Sequence, residues 1–167
     1  MITLRPVPGT PPRASSPAKA AFWICSASLL LSIPFLNCLG DDTFIYMRMI
    51  RNFLEYGAFE YNHGEPCYAM TSLTWFLGWA GLTRLFHDID LARQVGSLIG
   101  HTLAFTGIYL LSGRLIHDRF VRLLTLAVVF FDPFYIRWFW GGWEVSLKIA
   151  AAAWALLATI RIGQGRV

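Results

Sequence analysis

The chain has 167 residues, of which 56% are hydrophobic and only 14% are charged. An average soluble domain has about 25% charged residues, so the composition argues against an ordinary soluble domain and favours a membrane protein. Three cysteines without metal-ligand spacing argue against both a disulfide framework and a zinc site.

The chain begins with a polar segment that precedes an apolar one. Residues 1–20 are rich in Pro, Ser and Ala and carry only positive charge, which predicts a disordered cytoplasmic tail. Residues 21–39 carry no ionisable group other than two cysteine thiols. At about 1.5 Å per residue they span a hydrocarbon core of about 30 Å. No A-x-A-like cleavage site follows, so we expect a retained membrane anchor rather than a signal peptide.

The anchor is followed by a strongly amphipathic segment, residues 43–56. Its polar side chains recur at helical spacing, opposite an apolar face. They are Arg48, Arg51, Asn52 and Glu55. We expect a helix that is capped by Asp41, Asp42 or Thr43. The segment is too polar to cross a bilayer and should lie flat at the interface.

The rest of the predicted outer loop, residues 40–90, contains two more segments. Residues 57–70 are rich in turn-forming residues and predict a loop. Residues 71–86 are apolar but short and contain Arg84. They predict either a second surface helix or a poor membrane span.

Three further apolar segments predict membrane-spanning helices, at residues 91–112, 120–138 and 145–160. The first contains Gly96-x-x-x-Gly100 followed by Ala104, a small-residue seam that permits close helix packing in lipid. His101 in the same segment is expected to pack as a hydrogen-bonded ring. Pro133 should end or kink the helix that contains it.

The distribution of charge predicts an orientation. With four spans, the segments placed inside hold eight of the 14 Lys and Arg and one of the ten acidic residues, as the positive-inside rule requires. A fifth span at residues 71–86 would turn the basic segment 113–122 outward. We therefore expect an all-α, four-span protein of the inner (plasma) membrane. Residues 161–167 form a second cytoplasmic tail, and Asp41-Asp42 lies on the periplasmic or extracellular side.

Asp41 and Asp42 are the leading candidates for chemistry. Each carboxylate would cost about 2.5–3.5 kcal/mol at the bilayer centre, so the pair must reach water or a polar cavity. It suits a general base or a cation ligand at the membrane edge, or else a helix cap and topology marker. Arg48 and Arg51 suit a phosphate-bearing substrate because guanidinium donors match phosphate oxygens. Alternatively, they contact lipid headgroups or pair with Glu55.

A wider pattern occupies residues 41–75. It opens with D-D-x-[FY]-I-x-x-R-x-x-x-N and closes with T-S-x-x-W. This pattern resembles the first outer loop of polyprenyl-phosphate-sugar-dependent glycosyltransferases of the GT-C fold, nearest the arabinofuranosyltransferase-like branch. The matching residues are Asp41, Asp42, Phe44, Ile45, Arg48, Asn52, Gly57, Asn62, Gly64, Glu65, Thr71, Ser72 and Trp75. A weaker match at Gly142-Trp143-Glu144 is similar to a motif of the family's second outer loop. The whole resemblance covers residues 21–160.

The resemblance implies roles for these residues. Asp41 or Asp42 would deprotonate the acceptor hydroxyl, which leaves an inverted anomeric centre, and Arg48 would hold the donor phosphate. Glu144 would be a supporting carboxylate, or alternatively a cap at the positive end of the last helix. We expect substrate contacts from Arg48, Arg51, Asn52, Asn62, His63 and Glu65.

The resemblance also implies partners. The donor would be a polyprenyl-phosphate sugar that arrives through the lipid bilayer, and the acceptor a cell-envelope glycan or glycolipid. We expect no nucleic-acid partner and no cofactor. A divalent cation is compatible with the pattern but not indicated by it.

Chain length bears on activity. Members of the family have several hundred residues and more spans, so we expect this chain to be the N-terminal part of such an enzyme, too short for activity alone. Two alternatives stay open. One is a small non-catalytic membrane protein, transporter-like or an assembly subunit, and the other is an inactive gene fragment.

Overall fold

The computed structural model of the protein describes residues 16–141 and 144–164. These residues are mostly helical, as the sequence predicts. In chain order the helices are α1 (Pro17–Ser32), α2 (Asp41–Tyr56), α3 (Leu73–Phe86), α4 (Ile89–Leu115), α5 (Arg119–Phe130), α6 (Pro133–Trp138) and α7 (Val145–Gly163), with a 3-10 turn at Ile33–Phe35 and strands β1 (Glu60–Asn62) and β2 (Glu65–Pro66). The predicted tail at residues 1–20 lies mainly outside the described residues, as does the end of the tail at 161–167.

Three helical segments are long and apolar enough to cross a membrane: Pro17–Phe35, Ile89–Leu115 and Val145–Gly163. They agree with three of the four predicted spans. The first begins and ends four residues earlier than predicted. It starts early because Ser16 caps it, accepting a hydrogen bond from the Lys19 amide. It ends early because Pro34 has no N–H to continue an α-helix, and the chain tightens there into the 3-10 turn.

The remaining predicted span, residues 120–138, is not one helix. Helix α5 stops at Phe130, and α6 starts at Pro133 after Asp132, whose carboxylate accepts a 2.8 Å hydrogen bond from the Tyr135 amide. The break at Pro133 is therefore confirmed. At 12 residues, α5 is about 18 Å long, short of a hydrocarbon core. The predicted count of four spanning helices is not confirmed.

The predicted outer loop differs from expectation at two places. Helix α2 begins at Asp41, after Gly40 in the capping position, and no side chain caps it. The expectation that Asp41, Asp42 or Thr43 caps this helix is therefore wrong, because all three lie in its first turn. The segment 57–70 is not purely a loop, since β1 and β2 pair antiparallel. Residues 71–86 contain a 14-residue helix, α3, which is not among the three spanning segments.

Helices α4 and α7 run parallel to one another. A Cβ atom added at Gly100 would lie 3.2 Å from Ser146, and one added at Gly107 would lie 3.0 Å from Ala153, seven residues further along each helix. The predicted seam does pack closely, but Gly96 faces the ring of Trp75 in α3 rather than another span.

The broken α5–α6 segment returns along α4 in the opposite direction. The Arg122 guanidinium lies 5.1 Å from the ring centroid of Tyr109. At the far end of the segment, the Trp140 carbonyl accepts a hydrogen bond from Arg93. Tyr109 and Arg93 are separated by about 24 Å along α4. The α5–α6 segment therefore brings the chain back to the end of the bundle where α4 and α7 begin.

Two hydrophobic clusters result. One cluster is formed by α2, α3 and the β1–β2 hairpin. Its most buried residues are Met49, Ile50, Phe76 and Trp79. The other joins the long helices around Ala104, Leu126 and Phe130. His101 is buried between helices, with its Nδ1 2.9 Å from the Tyr135 hydroxyl, which confirms the expected hydrogen-bonded packing role.

Candidate functional site

The acid pair lies in the first turn of α2, six residues after the end of the 3-10 turn that follows α1. Asp41 and Asp42 are both exposed, and neither side chain has a hydrogen bond or ion pair with any other described residue. Thr43, the next residue, is fully buried and donates its hydroxyl to the main-chain oxygen of Gly141. Within the described part of the chain the two carboxylates are thus free, on a helical turn that is attached to the segment leading into α7.

Glu144 lies at the start of α7. It occupies the capping position, but its side chain makes no capping bond. Its carboxylate accepts a 2.9 Å hydrogen bond from the Thr71 hydroxyl and pairs at 2.7 Å with Lys148. Burial raises the pKa of Glu144, but hydrogen bonds from Lys148, its own main chain and Thr71 outweigh burial, and the pKa is lowered overall. Glu144 is therefore an anchored, ionised carboxylate. The other two residues of its motif, Gly142 and Trp143, lie outside the described residues.

Tyr46 connects α2 to this anchor. Its ring is buried, and its hydroxyl oxygen accepts hydrogen bonds from the amides of Thr71 (3.1 Å) and Ser72 (2.8 Å). A continuous chain of contacts therefore runs from α2 through Tyr46 and Thr71 to Glu144. Tyr46 lies among the apolar residues of α2, and the sequence indicated no role for its hydroxyl. The available signal was chemical, since a buried tyrosine hydroxyl needs a polar partner.

Three of the predicted substrate-binding residues bind one another. Arg48 donates through Nε to the Tyr61 carbonyl at 2.9 Å and through Nη2 to Asn62 Oδ1 at 3.0 Å. Its guanidinium also lies 4.6 Å from the centroid of the Tyr61 ring. Asn62 in turn donates to Glu65 at 3.1 Å. These side chains hold the hairpin on α2.

The hairpin has a second anchor, which the sequence analysis missed. Glu60 is buried and accepts hydrogen bonds from His63 and from the amide of Gly64, each 2.8 Å long. These two bonds lower the pKa of Glu60. Asn52 donates to the carbonyls of Glu60 and Tyr61. His63 and Asn52, both predicted substrate contacts, thus stabilise the hairpin. Glu60 carried no signal in sequence, because an isolated loop glutamate is normally solvated.

Arg51 differs from the other predicted substrate contacts, which hydrogen-bond within the hairpin or between the hairpin and α2. It is exposed, and its guanidinium has no hydrogen bond or ion pair with another described residue, including Glu55. It lines a shallow cavity of about 510 Å³ on the face of α2, beside Phe44 and Arg48. A second cavity of about 390 Å³ lies under the hairpin, lined in part by Ile45 and Glu65. Within residues 16–141 and 144–164, no group of three or more His, Cys, Asp or Glu side chains could hold a metal ion.

Fold and site together define an α-helical protein with three helices able to cross a membrane and a polar, acid-bearing end built on α2, α3 and the start of α7. The chain matches no family model, no curated protein and no solved structure. Function must therefore be inferred from the geometry of the chain and from the pattern at residues 41–75.

Proposed function

We propose that the protein is a membrane glycosyltransferase of the GT-C type, or the N-terminal part of one. It transfers a sugar from a polyprenyl-phosphate donor to a cell-envelope glycan or glycolipid. The observation that carries this proposal is the free acid pair. Asp41 and Asp42 have no side-chain partner among the described residues, yet the turn that bears them is fixed through Thr43 to Gly141. An unpaired carboxylate on a fixed turn suits proton abstraction.

In this reaction Asp41 or Asp42 takes the proton of the acceptor hydroxyl. The acceptor oxygen attacks the anomeric carbon, and the polyprenyl phosphate leaves with the electron pair of the broken C–O bond. The anomeric centre is inverted. Charge develops on the leaving phosphate, where a guanidinium stabilises it. Arg51 suits this role better than Arg48, because two of the three nitrogens of Arg48 already hold the hairpin.

We assign the acid-bearing end to the outer face of the plasma membrane. Basic side chains collect at the opposite end of the bundle, where α1 and α5 begin and α4 and α7 end. They are Lys19, Arg114, Arg119, Arg122 and Arg161. The positive-inside rule places that end in the cytoplasm. In this assignment α5 and α6 together make the fourth crossing, since they follow α4 over about 24 Å.

The test is sugar transfer from a polyprenyl-phosphate donor by membranes that contain the protein. The double variant Asp41→Asn/Asp42→Asn should lower transfer by about 10²-fold or more, and the single variant with the same loss identifies the base. Glu55→Gln, at the far end of the same helix, is the control and should leave transfer unchanged. Unaltered transfer by the double variant would contradict the assignment.

A second candidate is a non-catalytic membrane protein, such as an assembly or transporter-like subunit. The mutual bonds of Arg48, Asn62 and Glu65 favour it, because they give a purely structural role to residues expected to touch substrate. In this case sugar transfer by membranes that contain the protein should be unchanged both in the Asp41→Asn/Asp42→Asn double variant and when the protein is removed.

A further inference from the structure

Arg93, near the start of α4, is almost completely buried, with 1% of its surface exposed. Its Nη1 donates to the Trp140 carbonyl, and its Nη2 lies 3.4 Å from the Leu36 carbonyl. Its Nε and Nη2 bind Asp90, one turn back, at 3.2 and 3.1 Å. One guanidinium thus joins two chain segments that are distant in sequence, and a carboxylate on its own helix orients it.

The two segments are those that lead to the acidic side chains. Leu36 ends the 3-10 turn after α1, five residues before Asp41, and Trp140 precedes Glu144 by four residues. Carbonyls at such helix ends lack intrahelical partners. A buried carbonyl without a hydrogen-bond donor costs free energy in an apolar setting. A guanidinium that donates to both carbonyls removes this cost, so displacing it is unfavourable.

The second segment is held at two further points. The Trp140 indole donates to Ser32 near the end of α1 at 2.9 Å. The Gly141 carbonyl accepts from Thr43 in the first turn of α2. All of these contacts converge on the short stretch between α6 and α7. Arg93 adds a contact from α4, which reaches both this stretch and the main chain at Leu36, after α1.

We propose that Arg93 is a positioning residue that fixes the separation between the Asp41-Asp42 pair and Glu144. Its effect on sugar transfer rests on the proposed function, whereas its effect on the separation does not. Arg93 touches neither acid. It acts through the main chain on either side of the site, and Asp90 keeps its fork aimed at the two carbonyls.

The experiment measures this separation directly in the full chain, reconstituted in lipid nanodiscs. Spin labels are attached at Phe44→Cys, in the exposed first part of α2, and at Ala151→Cys, on the exposed side of α7. The three native cysteines are replaced by Ser. Pulsed electron paramagnetic resonance then gives the distribution of distances between the two labels. We expect a single narrow distribution with Arg93 present.

Arg93→Lys keeps the charge beside Asp90 but lacks the planar fork that reaches two acceptors. It should broaden the distribution and lengthen the mean distance. Arg114→Lys, at the exposed opposite end of α4, is the matched control and should change neither. If Arg93→Lys does not fold, Asp90→Asn tests the same proposal. It removes only the half-exposed carboxylate that orients the Arg93 guanidinium. It should broaden the distribution in the same direction.

The kinetic readout is separate. In Arg93→Lys, kcat for transfer should fall by about 10²-fold, as misplacement of reacting groups commonly causes, with little change in KM for the polyprenyl-phosphate donor. A distance distribution identical to that of wild type in both variants would overturn the proposal, even if the Asp41 and Asp42 variants abolish transfer. Conversely, a changed distribution supports the role of Arg93 even if no sugar transfer is found.

Discussion

The hydroxyl of Thr71 donates a 2.9 Å hydrogen bond to the carboxylate of Glu144, across 73 positions of the chain. Thr71 precedes α3 and Glu144 precedes α7, so this bond joins the starts of two helices that are distant in sequence. The same threonine binds Tyr46 of α2 through its amide. A single residue therefore joins the three elements around the candidate site.

Thr71→Val should weaken this junction. It removes the hydrogen bond to the buried Glu144 carboxylate and the 3.1 Å contact with the Tyr46 hydroxyl, at a cost of about 1–3 kcal/mol in the free energy of unfolding. Thr74→Val is the matched control, because Thr74 is exposed on α3 and its side chain has no hydrogen bond with a described residue. Equilibrium unfolding in mixed micelles measures both. Equal stability of the two variants would show that the Thr71–Glu144 bond contributes nothing.

The hairpin should loosen in acid because of Glu60. Its bonds from His63 and Gly64 lower its pKa in the folded protein. Its stabilising effect is therefore complete above the unfolded value of about 4.3 and is lost as the pH falls through the lower folded value. Hydrogen exchange at the Gly64 amide should accelerate over that range, relative to amides within α2. Glu60→Gln should remove this pH dependence. If the pH dependence of exchange at Gly64 persisted in Glu60→Gln, a different titrating group would be responsible for it.

Close packing of α4 on α7 depends on the absence of a side chain at residue 107. A Cβ atom there would lie 3.0 Å from the Cβ of Ala153 and 3.2 Å from the Trp154 indole nitrogen. Gly107→Ala should therefore force the helices apart and lower the thermal midpoint. Gly78→Ala in α3 meets no atom within 4 Å, so helix propensity alone should raise its stability, by up to about 1 kcal/mol. A stabilising effect at both positions would argue against close α4–α7 contact.

The sequence predicts helices where polar residues recur at helical spacing or where an apolar segment is long. The polar side chains of α2 recur at helical spacing, residues 91–112 are apolar over the width of a hydrocarbon core, and residues 145–160 are apolar over most of it. The hairpin was not predictable, because its strands have three and two residues and depend on Arg48 and Glu60 rather than on an apolar pattern. Pro133 signalled the break between α5 and α6. It did not tell whether two short helices replace one span.

The site was only partly predictable, for a chemical reason. The pattern at residues 41–75 includes Arg48, Asn62 and Glu65, which the structure brings into contact with one another. A guanidinium, however, binds carbonyls and amides as well as phosphates, so the sequence did not reveal that they bind one another. The sequence indicated no separate role for Arg93. Its spacing of three from Asp90 was a visible hint of pairing, but nothing in the sequence indicated the main-chain carbonyls that it reaches.

Arg48 and Arg51 offer a matched pair, since both are exposed on α2 and only three positions apart. Arg48→Gln removes the donors to Tyr61 and Asn62, so the hairpin should become more sensitive to limited proteolysis between residues 60 and 66. Arg51→Gln breaks no contact among the described residues and should leave the proteolysis pattern unchanged.

Under the proposed function, Arg51→Gln should raise KM for the polyprenyl-phosphate donor, because the free guanidinium there is the available partner for phosphate. If Arg51→Gln instead left transfer intact while Arg48→Gln abolished it with the hairpin still protected, Arg48 would be the phosphate ligand. Its contacts with the hairpin would then have to break when the donor binds.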